Sequence, residues 1–448
     1  MEPLENVTEL DAILEARDWS RAREYMHQLP VQDIAKLLPE LSAAHRLLIL
    51  KLLPKTESTE VFSYLGSDCQ DEIIKDLTER EVLDLLKGMA PDDRTALLAD
   101  LPAEMLRRML EMLPPQERRK TQTLLGFPEE SVGRLMTPNY IAVRPDWSVS
   151  RSLAHIRSRH QQAETISIIY VTDIYGKLLD TLGLRRFVLA EPEQQVADIM
   201  DHHFTSIEAT EDREKAVDLV QHYDLTALPV VDDDGMLLGT VTLDDIMDVA
   251  EEEATEDFHK MGSVGSLQLS LRDARPSLLY RKRVGWLVLL VFMNLFGGAA
   301  IAHFEETIEA VIALVFFLPL IVDSGGNAGA QSATMMVRAL ATGDVRMRDW
   351  GRLLGKELGV AIALGVTMAV AVFGIGIYRG GLDVGYVVAL AMAAVVLFGS
   401  LIGMLLPFLL HRMNLDPATA SAPLITSLAD ITGIMIYFTI ATMLLPVG

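Results

Sequence analysis

A single carboxylate interrupts the last apolar stretch of the chain. Asp430 lies near the middle of residues 422–446, where no Lys or Arg occurs. An ionisable side chain at that depth in a membrane costs about 3 kcal/mol or more, so it faces protein or water rather than lipid. The residues that share its helical face are small or polar: Pro423, Thr426, Ser427, Gly433 and Tyr437. The pattern favours a residue on an ion pathway, and a carboxylate held by an interhelical hydrogen bond is the alternative.

A second motif of polar and small residues follows the apolar segment 308–322. It reads Asp-Ser-Gly-Gly-Asn-Ala-Gly-Ala-Gln and begins at Asp323. Adjacent glycines at membrane depth predict a break in the helix, and interrupted helices commonly supply ion sites in transporters. We therefore predict Asp323 and Asn327 at the mouth of an ion pathway, with a cytosolic turn beyond a short helix as the alternative. A separate Gly-x-x-x-Gly pair, Gly399 and Gly403, predicts close helix packing.

The densest group of carboxylates lies between Asp212 and Asp257. Within it, Asp245, Asp248 and Glu252 recur at the spacing of one helical face, where like charges repel. Oxygen ligands without His or Cys partners select hard cations, Mg2+ or Ca2+. The sequence therefore predicts a cation site here, although it has no 12-residue EF-hand loop, and a solvated acidic face is the alternative.

The chain divides into a polar, acidic part and an apolar part. It has 448 residues, with 39 Lys and Arg, 62 Asp and Glu, and a formal net charge of −23. Almost all of this charge lies in residues 1–283, because residues 284–448 contain only 7 basic and 10 acidic residues. A strongly negative part disfavours nucleic acid as a partner and suits a cation. The single cysteine excludes an intrachain disulfide, and no apolar signal segment opens the chain.

Five apolar segments predict five membrane-spanning helices. They cover residues 284–302, 308–322, 359–378, 387–410 and 422–446. Basic residues lie before the first segment, between the second and third, and between the fourth and fifth, whereas the opposite connections carry mainly Glu and Asp. The positive-inside rule therefore places the polar part in the cytosol and the C-terminus outside, in a cell (inner) membrane.

The polar part contains two further patterns. Residues 1–128 read as short helices separated at prolines, which predicts an all-α superhelical N-domain. Residues 129–255 contain an internal repeat, and its second copy, LPVVDDDGMLLGTVTLDDIMDV, resembles a CBS domain. A tandem CBS pair is an α+β module, and the resemblance implies ATP as a candidate ligand, with Asp245 at the ribose-binding position. The first copy has Arg186 at that position, which departs from the pattern.

The whole chain resembles the MgtE family of bacterial magnesium channels and transporters. Three segments carry the resemblance: DSGGNAGAQS from Asp323, ATEDFHK from Ala254 and PLITSLADITG from Pro423. The family implies four parts in order, namely an N-domain (1–128), a CBS pair (129–255), a connecting helix (256–283) and a five-span α-helical pore domain (284–448). It further implies a homodimer in the lipid bilayer whose last helices line a pore, with Asp430 holding hydrated Mg2+.

Regulatory Mg2+ ions are also implied by this resemblance, bound between the N-domain, the CBS pair and the connecting helix. By motif position their ligands are Glu60, Asp92, Asp212, Glu214, Asp224, Asp245, Asp248, Glu256 and Asp257. Two positions depart from the family, because Ala422 replaces an Asn near the pore and Ala96 replaces an acidic residue of the N-domain.

The expected function is a Mg2+-selective channel that cytosolic Mg2+ closes by bridging these carboxylates. A secondary divalent-cation transporter with Asp430 as its coupling site is one alternative, and a nucleotide-sensing membrane receptor is another. We expect no enzyme activity, since the sequence offers no phosphate-binding glycine loop, no nucleophile–base pair and no His or Cys metal site.

Overall fold

The computed structural model describes residues 3–265, 274–413 and 415–445. It divides into two compact units, Met1–Glu251 and Glu252–Gly448, each with its own core. The first unit begins with ten short helices: α1 (Pro3–Glu15), α2 (Trp19–His27), α3 (Val31–Leu37), α4 (Ala43–Leu52), α5 (Lys55–Ser63), α6 (Ser67–Asp76), α7 (Glu79–Gly88), α8 (Pro91–Ala99), α9 (Ala103–Met112) and α10 (Pro115–Leu125).

Proline sets many of the boundaries between these helices. Pro30, Pro54, Pro102 and Pro114 each precede a first helical residue, and Pro91 is itself the first residue of α8. Proline fits the start of a helix because the N–H it lacks would have no intrahelical partner there. Several helices pack on the helix two positions along, α3 on α5, α5 on α7, and α4 on α6, around one apolar core. The array is all-α as predicted, and the superhelix remains a prediction.

The second part of this unit is the repeat expected from the sequence. The first copy contains α11 (Val132–Leu135), β1 (Ala142–Val143), α12 (Val149–Arg159), β2 (Ile168–Thr172), β3 (Leu178–Gly183) and α13 (Leu184–Leu189). The second copy contains α14 (Val196–Ile199), β4 (Ile207–Glu208), α15 (Arg213–Tyr223), β5 (Ala227–Val231), β6 (Leu237–Thr242) and α16 (Leu243–Met261). In each copy the first strand pairs parallel to the second, and the second pairs antiparallel to the third. The identical topology confirms the internal repeat.

The connecting helix expected over residues 256–283 is not one helix. α16 ends at Met261, and the next described helix begins at Pro276. Ser263 has a left-handed backbone (φ 55°), and Val264 N donates to His259 O at 2.9 Å, which is a hydrogen-bonding pattern that terminates helices. Residues 266–273 of that prediction lie outside the described residues.

Helices and the turns that connect them make up the described residues of the second unit. It contains α17 (Pro276–His303), α18 (Glu305–Ala310), α19 (Ala313–Ala341), α20 (Trp350–Arg412) and α21 (Ala422–Leu444), with two short 3-10 turns. Among the described residues, four helical stretches are long and apolar enough to cross a membrane, and the longest of them, Met347–Arg412, contains α20.

The long helix α20 folds back on itself. Its 63 residues would extend about 95 Å if straight, roughly three times the thickness of a hydrocarbon core. Gly381 has non-helical angles (φ 85°, ψ −178°) that only glycine adopts readily. A Cβ built on Gly376 would lie 2.7 Å from the Cα of Gly385, and one on Gly365 would lie 2.9 Å from Ala393 O. The two arms on either side of Gly381 therefore pack side by side.

The helix break predicted at Gly325 and Gly326 is wrong. α19 runs without interruption through both glycines, so the second apolar segment is a longer helix than the predicted 308–322. The glycines serve close packing instead, because a Cβ on Gly325 would lie 2.5 Å from Val395 Cγ1. Gly399 and Gly403 face the same surface of α19, where added Cβ atoms would lie 2.2 Å from Gly325 O and 2.0 Å from Gly329 O. The Gly-x-x-x-Gly pair therefore makes the close helix contact that the sequence indicated.

Replacing Gly403 by alanine is expected to destabilise the membrane unit by about 3 kcal/mol or more, because the new methyl group would overlap a backbone carbonyl that cannot rotate away. The matched control is Gly374→Ala in the same helix, where a Cβ meets nothing within 4 Å. Thermal unfolding in detergent measures both variants. Equal melting temperatures for the two variants would contradict the packing described here.

Candidate cation sites

The carboxylate of Asp430 lies in a small gap between α21 and α19. Its Oδ1 atom is buried and has no hydrogen-bond partner among the described residues. A Cβ built on Gly326 would lie 3.5 Å from that oxygen and 2.9 Å from Thr426 Cγ2, so the glycine leaves room beside the carboxylate. Leaving a buried charged oxygen unpaired is costly, and a bound cation would remove that cost.

Asp323 and Asn327 lie one turn apart on α19. Both side chains are exposed, and Asn327 Nδ2 donates to Asp323 Oδ2 at 2.9 Å. The hydrogen bond holds the Asp323 carboxylate in place without neutralising it. Asp323 is also close enough to Asp430 to interact with it electrostatically. The structure thus places two carboxylates from two helices near one another.

The polar face predicted for α21 has two different roles along its length. Thr426 and Asp430 lie beside Gly326 of α19. Farther along, Tyr437 is fully buried and donates its hydroxyl hydrogen to Leu314 O at 2.9 Å. The Tyr437 end of this face therefore holds α21 against α19, whereas the Asp430 end has a carboxylate oxygen without a hydrogen-bond partner among the described residues.

A second group of carboxylates lies in the first unit, where acids in the first turn of α8 and in the first turn of α16 are close enough to interact electrostatically. We call this group the carboxylate cluster, and it contains Asp92, Asp93, Glu164, Asp244 and Asp245. Asp92 is 8% exposed, and its Oδ1 has no hydrogen-bond partner among the described residues. Burial raises the pKa of Asp92 well above its usual range, and the neighbouring Asp245, Asp93 and Glu164 raise it further.

Asp245 has the same electrostatic environment. Burial raises its pKa to about 7, and Asp244, Asp93 and Glu164 add to the rise, although a hydrogen bond from Thr242 opposes it. The pKa values of Asp93 and Glu164 are likewise raised, first by burial and then by the other acids. Every member with a shifted pKa therefore lies in a site that disfavours additional negative charge and favours a cation.

Sequence reasoning identified only part of the carboxylate cluster. Asp92 and Asp245 were predicted as ligands, and Asp248, also predicted, lies close enough to raise the pKa of Asp93. The other members of the cluster, Asp93, Glu164 and Asp244, were not among the predicted ligands. Asp93 could have been found as the neighbour of Asp92 in the first turn of α8, whereas Glu164 lies alone ahead of β2 and gives no signal.

The other predicted ligands of the first unit lie at helix ends or on exposed faces. Asp212 caps α15, its Oδ1 accepting from Glu214 N at 2.9 Å, and Asp224 ends the same helix with left-handed angles. Glu60 is exposed on α5. Within the described ranges, no three His, Cys, Asp or Glu side chains lie close enough together to hold a metal ion. Among the described residues, the structure therefore brings neither these four acids nor the members of the carboxylate cluster to the distances of a three-ligand metal site.

Glu256 and Asp257 belong to the second unit and already face a cation of the chain itself. Lys260 Nζ lies 2.7 Å from Glu256 Oε1 and 2.5 Å from Asp416 Oδ2. Burial raises the pKa of Asp257, and Asp416 raises it further, while Lys260 opposes the rise. These acids surround an ammonium group.

Comparisons with known proteins agree with this division of the chain. Residues 318–440 match the model of a family described as "Divalent cation transporter", residues 29–130 match the "MgtE intracellular N domain", and residues 196–252 match the "CBS domain". The magnesium transporter MgtE of Thermus thermophilus is 39% identical over 97% of this chain and 98% of its own length. The Bacillus subtilis magnesium transporter MgtE is 31% identical over 94% of this chain and 93% of its own length.

Two solved structures resemble the first unit. One is the cytosolic domain of the Mg2+ channel MgtE in complex with ATP, with 36% identity and a TM-score of 0.52, covering 54% of this chain and 99% of that chain. The other is the soluble part of a magnesium transporter, with 25% identity and a TM-score of 0.53, covering 56% of this chain and 100% of that chain. They support both the N-domain and the CBS pair.

Proposed function

The chain belongs to the MgtE family of magnesium transporters, and on that premise we propose that it is a Mg2+ channel whose pathway passes Asp430 and which cytosolic Mg2+ closes. The observation that carries the proposal is the buried Asp430 oxygen beside Gly326, which has no hydrogen-bond partner in the described part of the chain. Mg2+ gives up its water reluctantly, so a single carboxylate that contacts its hydration shell suits it better than a closed cage of ligands. The other two pathway residues, Asp323 and Asn327, are proposed to line the entrance.

The arrangement in the membrane follows from the same premise. We propose that each arm of α20 makes a separate crossing, which gives five spans with the N-terminal domains in the cytosol and the C-terminus outside the inner membrane. The packed arms around Gly381 support this count. We also propose a homodimer in which the two copies of α21 face one another, so that each pathway carries two Asp430 carboxylates. No role for nucleic acid is proposed, given the acidic composition.

Closure is proposed to follow from binding of Mg2+ at the carboxylate cluster. Without a cation the clustered acids repel one another, and a divalent ion that joins α8 to α16 replaces that repulsion by a bridge. Asp92, Asp245 and Asp248 are the proposed ligands that lie at or beside the cluster. The remaining proposed ligands are Glu60, Asp212, Glu214, Asp224, Glu256 and Asp257. Because no three acids of the described residues lie at metal-ligand distance, we propose that the acids move toward one another when Mg2+ binds, in the cluster as elsewhere. Several modest sites suffice, because reversing a two-state equilibrium needs about 5.5 kcal/mol in total.

ATP is a proposed second ligand of the CBS pair. The support is a solved relative, the ATP complex of an MgtE cytosolic domain. In this chain the proposed ribose contact is Asp245, whose Oδ2 accepts from Thr242 Oγ1 at 2.9 Å. The first copy is not proposed to bind ribose, because Arg186 occupies the equivalent position and pairs with Asp201.

The experiment that tests this function is single-channel recording from reconstituted protein while cytosolic Mg2+ is varied. Unitary Mg2+ currents that disappear as Mg2+ rises are the expected result. Mg2+ uptake without unitary currents would favour a coupled transporter, and nucleotide binding without any ion flux would favour a receptor.

Cysteines placed at 323 or 327 are expected to react with charged thiol reagents applied from the cytosolic side and not from outside, because both native side chains are exposed on α19. The one native cysteine, Cys69, is buried and gives a low background. Val370→Cys is the control, since Val370 is 73% exposed on an apolar helix that would face lipid, which a charged reagent does not enter. Modification at 370 but not at 323 or 327 would exclude these residues from the entrance.

A further inference from the structure

The turn that ends α16 has a serine where glycine is the usual residue. Ser263 N donates to Lys260 O at 2.9 Å and Val264 N donates to His259 O at 2.9 Å, which places Ser263 at the left-handed position of the helix end. Its φ of 55° is a conformation that a residue with a Cβ adopts at a cost. Glycine would form the same turn without that cost, so the serine side chain must contribute something else.

The hydroxyl of Ser263 contacts the first turn of α21. The Ser263 side chain is buried, and its Oγ donates to Ser421 Oγ at 2.6 Å. Ser421 is fully buried and is the residue before the first turn of α21, where its Oγ accepts from Leu424 N at 3.4 Å. Asp430 lies nine residues farther along the same helix, about 13 Å from this cap. Because a helix moves as one body, displacement of the cap displaces Asp430.

Two more contacts join the end of α16 to the segment that leads into α21. Lys260 Nζ lies 2.5 Å from Asp416 Oδ2, and Asp416 Oδ1 in turn accepts from Ala418 N at 2.8 Å. Met261 packs against an apolar cluster that includes Ala418 and Ile425. Each of these contacts lies within the second unit, and together they fix the last turn of α16 to the start of α21.

We propose that the Ser263–Ser421 hydrogen bond couples α16 to the pathway, with Ser263 as a positioning residue that holds α21 in the closed arrangement. This inference rests on the proposed closure by Mg2+. When Mg2+ orders the cytosolic half, α16 keeps its place and the hydrogen bond keeps the cap of α21 in place. When Mg2+ is withdrawn, α16 moves and releases the cap.

The first test removes the hydroxyl and keeps the turn. Ser263→Gly is suited to this because glycine adopts the left-handed angles freely. We expect the Mg2+ concentration that half-closes the channel to rise about fivefold, the factor that corresponds to one hydrogen bond of about 1 kcal/mol. Maximal uptake at low Mg2+ should not change, whereas a purely structural role would lower it. The control is Ser421→Thr, which keeps a hydroxyl at the cap and should close as the native protein does.

The second test locks the contact. The two oxygens are 2.6 Å apart, so Ser263→Cys combined with Ser421→Cys is expected to form a disulfide on mild oxidation. The oxidised double variant should stay closed at low Mg2+ and regain uptake after reduction, and each single variant should be unaffected by the oxidant.

The outcomes separate this inference from the proposed function. If native uptake falls with cytosolic Mg2+ but Ser263→Gly closes at the native concentration, the coupling role is wrong and Mg2+ closure stands. A cross-linked variant that still opens, or one that never cross-links at any Mg2+ concentration, also overturns the coupling. If uptake by the native protein does not change with cytosolic Mg2+, the proposal of closure by Mg2+ is wrong. In that case Ser263 keeps its positioning role only if the cross-link abolishes uptake at every Mg2+ concentration.

Discussion

Replacement of Asp430 by alanine is expected to reduce Mg2+ uptake at least a hundredfold while the protein stays folded. A carboxylate and a divalent ion about 4 Å apart attract each other by roughly 8 kcal/mol at an effective dielectric constant of about 20, before the cost of removing water is subtracted. No other residue in the described part of α21 carries a negative charge. Among the described residues, Asp430 Oδ1 has no hydrogen-bond partner, so removal of the side chain breaks no hydrogen bond of that atom to them.

Radioactive or fluorescent Mg2+ uptake into proteoliposomes measures this effect. Asp430→Asn keeps the shape of the side chain and removes its charge. If the charge is responsible for the effect, this variant should lose as much Mg2+ uptake as Asp430→Ala. Asp383→Ala is the matched control, because Asp383 is an exposed carboxylate beside the kink of α20. Native uptake by a well-expressed Asp430→Ala protein would remove Asp430 from the pathway.

Asp430 could be recognised from the sequence as a candidate because it is a charged residue among apolar neighbours. A single charge in an apolar helix is visible without knowing what packs on that helix, and the depth of the residue follows from its position in the run. The same reasoning failed at Gly325 and Gly326. Adjacent glycines weaken a helix by their backbone freedom, but they also permit two helices to approach closely, and sequence alone does not show which effect wins. Here Val395 and Gly399 of α20 pack against Gly325, Thr426 of α21 packs against Gly326, and the helix continues.

The first unit illustrates a different limit. Its repeat was predictable because two copies of one pattern support each other along the chain. The carboxylate cluster was only partly predictable, since it contains residues that are far apart in sequence, such as Asp92 and Asp245. The burial of these two side chains depends on the tertiary packing around the first turns of α8 and α16. Nothing in the sequence distinguishes Glu164 from the other Asp and Glu residues, which number 62 in all, and only the fold shows that it lies near Asp93.

Replacing both Asp92 and Asp245 by asparagine is expected to give channels that stay open at Mg2+ concentrations that close the native protein, with the half-closing concentration raised at least tenfold. Two effects oppose each other in this variant. Removing two buried charges relieves repulsion and so stabilises the compact arrangement, which imitates bound Mg2+ electrostatically. The same change removes ligands, and neutral side chains do not join α8 to α16 as a divalent ion does. We expect the lost bridge to dominate, because closure depends on Mg2+ only through the difference in its affinity for the two states.

Two measurements on the full-length protein distinguish these effects. Patch recording gives the half-closing Mg2+ concentration, and limited proteolysis with and without Mg2+ reports whether the first unit still becomes more compact. In the double variant, added Mg2+ should increase the protease protection of the first unit much less than it does in the native protein, because the bridge between α8 and α16 is lost. Asp33→Asn combined with Asp146→Asn is the control, because both acids are exposed in the same unit and neither belongs to the carboxylate cluster. Closure of the Asp92 and Asp245 double variant at the native Mg2+ concentration would mean that the cluster serves only the electrostatics of the fold and does not sense the ion.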